Sequence, residues 1–138
     1  MLVIEKAILV RAPSDRAYAL WLQFERFPEF MEEIEWVRRL DETRLLWRVN
    51  FAGESREWET EVTVRIPHSR ISWRSHSGFS NSGTVSFEER EPGRTLVTLG
   101  MIFDPAGIGA DEQDAKNFLG ARLERDLQRF KALLETAA

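Results

Sequence analysis

His68 and His76 are the only imidazoles in the chain, and imidazole is the one side chain whose ordinary pKa lets it give and take protons near neutral pH. His68 belongs to the turn Pro67-His68-Ser69, the setting of a solvated loop residue, whereas Ser75-His76-Ser77 could stand at the mouth of an interior space. The single tyrosine, Tyr18, adds a phenol that could act with a bound water. Arg122 lies beside an apolar helical stripe, where a guanidinium could meet the polar head of a ligand. Cysteine is absent, so neither a thiol nucleophile nor a disulfide is available. No HExxH or other dense ligand cluster occurs, and no metal site is expected. Gly78-Phe79-Ser80-Asn81-Ser82-Gly83-Thr84 has the glycine spacing of a phosphate loop but lacks its lysine and precedes a strand. Gly107-Ile108-Gly109 has no βαβ unit around it, so no nucleotide and no other cofactor is expected.

Composition bounds what these residues can serve. The 138 residues, 43% of them apolar, suffice for one domain, 1–138, with a core that needs no metal or disulfide. A formal net charge of -4 argues against nucleic acid as a partner. The longest apolar runs fall far short of the ~20 residues that span a bilayer, which argues against membrane insertion. Met1 to Val10 carries Glu5 and Lys6 within its apolar stretch and does not read as a signal peptide, leaving a cytoplasmic location as the default.

The elements that must position the candidate groups follow from periodicity. Leu2 to Arg11 reads as a strand closed by Ala12-Pro13. A short helix is predicted next, with Ser14 as N-cap and Ala17, Leu20, Trp21 and Phe24 recurring on one side. Pro28 suggests the start of a second short helical piece whose buried side is Phe27, Phe30, Met31 and Ile34. From Trp36 to Phe103 the pattern becomes an antiparallel meander, its turns marked by Asp41-Glu42, Ala52-Gly53-Glu54, Pro67-His68-Ser69, Ser77-Gly78 and Pro92-Gly93. Within it, Trp58, Val62, Val64 and Ile66 share one face of a strand and Glu57, Glu59, Glu61 and Arg65 the other. Asp104 to Asp114 reads as a loop, after which Ala115, Leu119, Leu123, Leu127, Phe130 and Leu134 form the stripe of a long amphipathic helix. The charges between them, including Arg125, Arg129, Lys131, Glu124 and Asp126, read as its solvated face.

A nearly straight helix cannot touch a twisted sheet everywhere, so the gap is either filled or left hollow. Five tryptophans and nine phenylalanines could wall an apolar pocket or simply fill a core. Gly100, inside a strand, and Gly120, inside the last helix, either make space for a ligand or mark a bulge and a close helix-to-sheet contact.

Taken as a set, several motifs resemble one family. They are Val10-Arg11-Ala12-Pro13, then Tyr18, Trp21, Phe24 and Glu25, then Phe27-Pro28-Glu29-Phe30-Met31. Glu57-Trp58, Glu61, Arg70 to Ser75, Gly78, Asn81 to Phe87, Phe103-Asp104-Pro105, Asp126-Leu127 and Arg129-Phe130-Lys131 follow in order. Over nearly the whole chain this is similar to the START-like (SRPBCC, Bet v 1-like) polyketide cyclase/dehydrase proteins. The resemblance implies an α+β helix-grip fold, in which a curved antiparallel sheet wraps a long C-terminal helix around a hydrophobic tunnel. Relatives of this kind include aromatase/cyclases, carriers of quinones and other lipids, plant hormone-binding proteins and ribosome-associated proteins, so the fold does not choose among them.

The resemblance also singles out Arg65, in Val64-Arg65-Ile66-Pro67, as matching an arginine of the aromatase/cyclases that could steady an enolate. By strand phase Arg65 points to solvent and pairs with a carboxylate, unless a bulge flips the register. Three functions are therefore expected to compete. In the first, a carrier or sensor holds a small hydrophobic molecule such as a lipid, quinone or polyketide with Trp21, Phe24, Phe30, Trp47, Trp58, Trp73, Phe87, Phe118, Leu119 and Arg122. In the second, a cyclase/aromatase or dehydratase works in the same cavity through Arg65, His76 or Tyr18. In the third, an adaptor binds a protein or ribosomal partner through its outer surface. An uncovered strand edge would also allow a homodimer.

Overall fold

The computed structural model describes residues 2–51, 53–76, 81–104 and 112–136. Strand β1 (Leu2–Val10) leads into helix α1 (Ser14–Trp21) and a 3-10 helix (Phe24–Glu29). Six strands follow: β2 (Ile34–Arg39), β3 (Arg44–Phe51), β4 (Glu54–Ile66), β5 (Arg70–Ser75), β6 (Asn81–Glu91) and β7 (Arg94–Phe103). Helix α2 (Glu112–Thr136) closes the chain. The strands form one antiparallel sheet in the order β1-β7-β6-β5-β4-β3-β2. Consecutive strands are hairpin neighbours, and β1 joins only by pairing with the last strand, Leu2 opposite Phe103 and Val10 opposite Thr95. This is the expected helix-grip arrangement.

Alternation decides which face is covered. Along β6 and β7 the side chains of Val85, Phe87, Val97, Leu99 and Phe103 are buried on the inner face, where α2 lays down Leu127, Phe130 and Leu134. The middle of the stripe differs: Leu119 and Leu123 remain partly exposed, and here the helix stands off the sheet. Gly93 takes the left-handed φ of 79° that the two-residue connection Pro92-Gly93 requires at its second position.

Several local expectations are corrected. Ser14 is the first helical residue and Pro13 holds the N-cap position without a side-chain cap. The acceptor comes from across the fold, Glu89 Oε1 receiving the Ser14 N–H at 2.7 Å. Pro28 lies inside the 3-10 helix rather than at the start of a new one, which a short 3-10 turn tolerates because few of its N–H groups are needed. Ile34 begins β2 opposite Val49 instead of ending a helix, and α2 starts at Glu112, before Asp114.

The largest correction concerns β4. A bulge between Val62 and Val64 shifts the register, so Ile66 turns outward and is 47% exposed. Arg65, opposite the fully buried Ile71, now shares the inner phase. Among the described residues it pairs with no carboxylate; its Nη2 donates to the Glu42 carbonyl at 2.8 Å. Ala52, the Ser77-Gly78 turn, the Gly78–Ser80 part of the glycine-rich segment, Pro105 and Gly107-Ile108-Gly109 lie outside the described residues. Among the described residues no helix is long and apolar enough to cross a membrane.

Candidate functional site

Where α2 leaves the sheet there is a cavity of about 160 Å³. Its sheet wall is aromatic, with Trp47 from β3, Trp58 from β4 and Trp73 from β5, backed by Val49, Val62 and Leu99. Trp21 of α1 with Phe24 and Phe27 of the 3-10 helix covers one side. From α2 come Phe118, Leu119, Arg122, Leu123 and Asp126, spaced three and four apart so that all reach one face. Phe118 is 45% exposed and stands where the wall meets solvent.

Two residues expected in the wall lie behind it. Phe30 and Phe87 pack on Trp21 at ring-centroid distances of 5.9 and 6.4 Å, and Phe130 of α2 approaches Trp21 to 5.1 Å and Phe30 to 5.3 Å. That edge-to-face cluster makes one end of the interior solid, and the hollow is confined to the other. The wall indole of Trp47 is fixed in turn, its Nε1–H donating to Thr60 Oγ1 at 2.7 Å. Thr60 is almost wholly buried, so Thr60→Val, which keeps shape and removes the acceptor, should cost about 1–3 kcal/mol by urea unfolding. A change within the roughly 0.5 kcal/mol of an ordinary surface substitution would show that the bond does not hold the ring.

The three groups considered for catalysis are not brought together. Arg65 touches the wall residue Phe24, its guanidinium 6.0 Å from the ring, but does not itself line the cavity. His76 Nε2 meets Glu61 Oε1 at 3.0 Å, and both are solvent-accessible. Tyr18 is buried outside the cavity, its ring edge-to-face with His68 at 5.8 Å and with Phe87 at 5.9 Å. Among the described residues no group of three His, Asp or Glu side chains could hold a metal.

The polar part of the wall lies on α2. Arg122 is charge-paired with Glu33 and, at 3.2 Å, with Glu32, which also meets Arg129 at 3.3 Å. One turn further along, Asp126 is only 7% exposed. Burial pushes its carboxyl up to about 6, against the pull of Arg122, Arg129 and Arg125, and Glu33 pushes the same way as burial. Two buried atoms here, Asp126 Oδ1 and Arg122 Nε, have no hydrogen-bond partner among the described residues. The solvated face expected for Asp126 is therefore corrected. Its position three residues after Leu123 and four before Phe130 was the available signal, because that is the phase of the apolar stripe. Thr60, Asn81 and Glu33 are further polar wall groups that sequence reasoning did not single out.

Neither expected glycine opens this space. Gly100 lies between the inward Leu99 and Met101, and a Cβ there would meet only Thr84 O at 3.9 Å. A Cβ on Gly120 would sit at an ordinary contact distance of 3.5 Å from Lys6 Cε, the end of a flexible side chain on β1. The glycine that shapes the wall is Gly83, opposite Trp73, where a Cβ would lie 2.3 Å from an indole carbon.

Against known proteins, the family model described as polyketide cyclase / dehydrase and lipid transport matches residues 10–131. An uncharacterised 17.2 kDa protein from the melC2-rnhH intergenic region of Streptomyces lincolnensis is 32% identical over 133 residues, covering 96% of this chain and 89% of that relative. A START superfamily protein from Mycobacterium smegmatis superposes with a TM-score of 0.87 at 18% identity over 99% of both chains. The Zhui aromatase/cyclase of a Streptomyces species gives 0.77 at 21% identity over 96% of this chain and 93% of that one, a likeness of fold.

Proposed function

The chain belongs to the polyketide cyclase / dehydrase and lipid transport family, and we propose that within it this protein holds a small, largely apolar molecule in the cavity beneath α2, as carrier or sensor. The observation that carries this reading is the hollow itself. It is about 160 Å³, walled by four tryptophans and several aliphatic chains. A cavity of about 150 Å³ with such a lining accepts one benzene-sized ring. Close packing is the rule in protein interiors, so an unfilled space of this size costs stability unless an occupant restores the contacts.

The test is a titration of the purified protein with toluene, followed by tryptophan fluorescence because Trp21, Trp47, Trp58 and Trp73 all face the space. A saturable change that disappears in Leu123→Trp, which fills the cavity from α2, is expected. No saturable change in the folded wild-type protein would overturn the reading. A second reading, cyclisation or dehydration in the same cavity, is favoured by Asp126, a wall carboxyl whose pKa near 6 suits proton transfer. Cyclised product from a poly-β-ketone thioester, lost in Asp126→Asn, is the outcome that would move the assignment to it.

A further inference from the structure

The polar end of the cavity specifies more than apolarity, and the inference drawn from it rests on the occupant reading above. Asp126 Oδ1 is a buried acceptor with no donor, and Arg122 Nε is a buried donor with no acceptor. Both residues line the same cavity, one helical turn apart on α2, with the two atoms just behind its surface, so that an occupant meets them through a small shift of either side chain. Leaving such groups unpaired in a protein interior is costly, because each has given up its hydrogen bonds to water. A hydroxyl answers both, as a water would, having an O–H to donate and two lone pairs to accept. A carbonyl would satisfy Arg122 alone, and an ammonium group Asp126 alone.

Charge narrows the choice further. The ionisable side chains of the wall are Arg122, Glu33 and Asp126, so the carboxylates outnumber the cation. Arg122 is moreover already engaged by Glu33 and Glu32. An anionic head placed here would meet Asp126 across a low-dielectric space with no unengaged cation in the wall to compensate.

We infer that the cavity selects a neutral, ring-sized molecule carrying a hydroxyl group, phenolic or enolic, that donates to Asp126 Oδ1 and accepts from Arg122 Nε–H, and that it rejects carboxylates. Phenol, toluene and benzoate separate the terms, since the three share one ring and differ in the polar group. At pH 7.5, phenol should bind at least tenfold more tightly than toluene, and benzoate should bind more weakly than either. In Asp126→Leu the preference of phenol over toluene should vanish while toluene still binds. Asp126→Asn, which keeps a carbonyl acceptor and the side-chain shape, should retain part of the preference and serves if the leucine variant does not fold. Toluene binding equal to phenol, or benzoate binding best, overturns the inference and leaves the occupant reading standing. If none of the three binds, both fall.

Discussion

Asp126→Asn should make the protein more stable at neutral pH, with a gain that fades as the solution is acidified. The buried carboxyl has a folded pKa of about 6 against an ordinary value of 3.8. Below about pH 4 Asp126 is protonated whether the chain is folded or not, and its burial costs nothing through charge. Between 4 and 6 the unfolded chain releases this proton before the folded one does. The folded state then binds more protons, and stability falls as pH rises. Above about 6 the charged form is present in both states and the full cost applies. Two pKa units correspond to about 3 kcal/mol, of which about 2 is a prudent expectation because the amide is itself a buried polar group.

For a domain of this size that is a rise in Tm of roughly 5–10 °C at pH 7.5. It should shrink steadily between pH 6 and pH 4. Differential scanning calorimetry of both proteins across that range checks it, and the difference between them removes the contribution of every other titrating group. An offset independent of pH would mean that Arg122, Arg125 and Arg129 balance the burial, and a variant less stable at pH 7.5 that they outweigh it. A buried carboxyl that costs the fold this much is the kind of group found at functional sites, and here the same substitution is expected to weaken the binding of a hydroxyl.

The stripes and alternations that build the fold were legible because burial imposes its period on every strand and helix. Val85, Phe87, Val97 and Leu99 could be placed on the inner face from β-strand phase, and Leu127, Phe130 and Leu134 on the helix stripe, without any knowledge of the partner element. What could not be read depends on contacts between distant segments. Glu89 replaces the cap expected of Ser14, although 75 residues separate them. The bulge after Val62 leaves no mark in the local pattern, and it alone carries Arg65 to the inner phase. Phe30 and Phe87 have the same composition and period as the wall aromatics. They differ only in facing Trp21 at the end of the interior near Phe130, a fact of tertiary packing. Asp126 escapes the local pattern for another reason. Its phase was that of the stripe, but the surrounding arginines and glutamates made a solvated face the natural choice.

Gly83→Ala should destabilise the protein and close the cavity together. A Cβ at this position would lie 2.3 and 2.6 Å from two atoms of the Trp73 indole and 2.8 Å from Met101 Sδ. The methionine can swing aside, but a ring cannot yield by bending, so the whole indole must leave the strand surface. Trp73 also lines the hollow, and on the inner face of the sheet the hollow is the free space into which its ring can move. The cost of forcing the ring off its seat is about 1–3 kcal/mol, as for other overpacked interiors. Toluene affinity should fall more than tenfold, because the displaced indole takes the volume of the ligand.

The double variant Gly83→Ala/Trp73→Leu separates this account from a simple effect on the strand. Alanine suits a β-strand backbone no worse than glycine, so once the indole is gone the methyl should be tolerated. The two changes are then expected to be coupled by more than about 1 kcal/mol in urea unfolding, with the alanine nearly neutral in the leucine background. If Gly83→Ala costs the same in both backgrounds, the glycine serves its own backbone and not the ring. If it is silent in both stability and toluene binding, the indole does not rest on it, and the aromatic wall must be held by Thr60 and its neighbours instead.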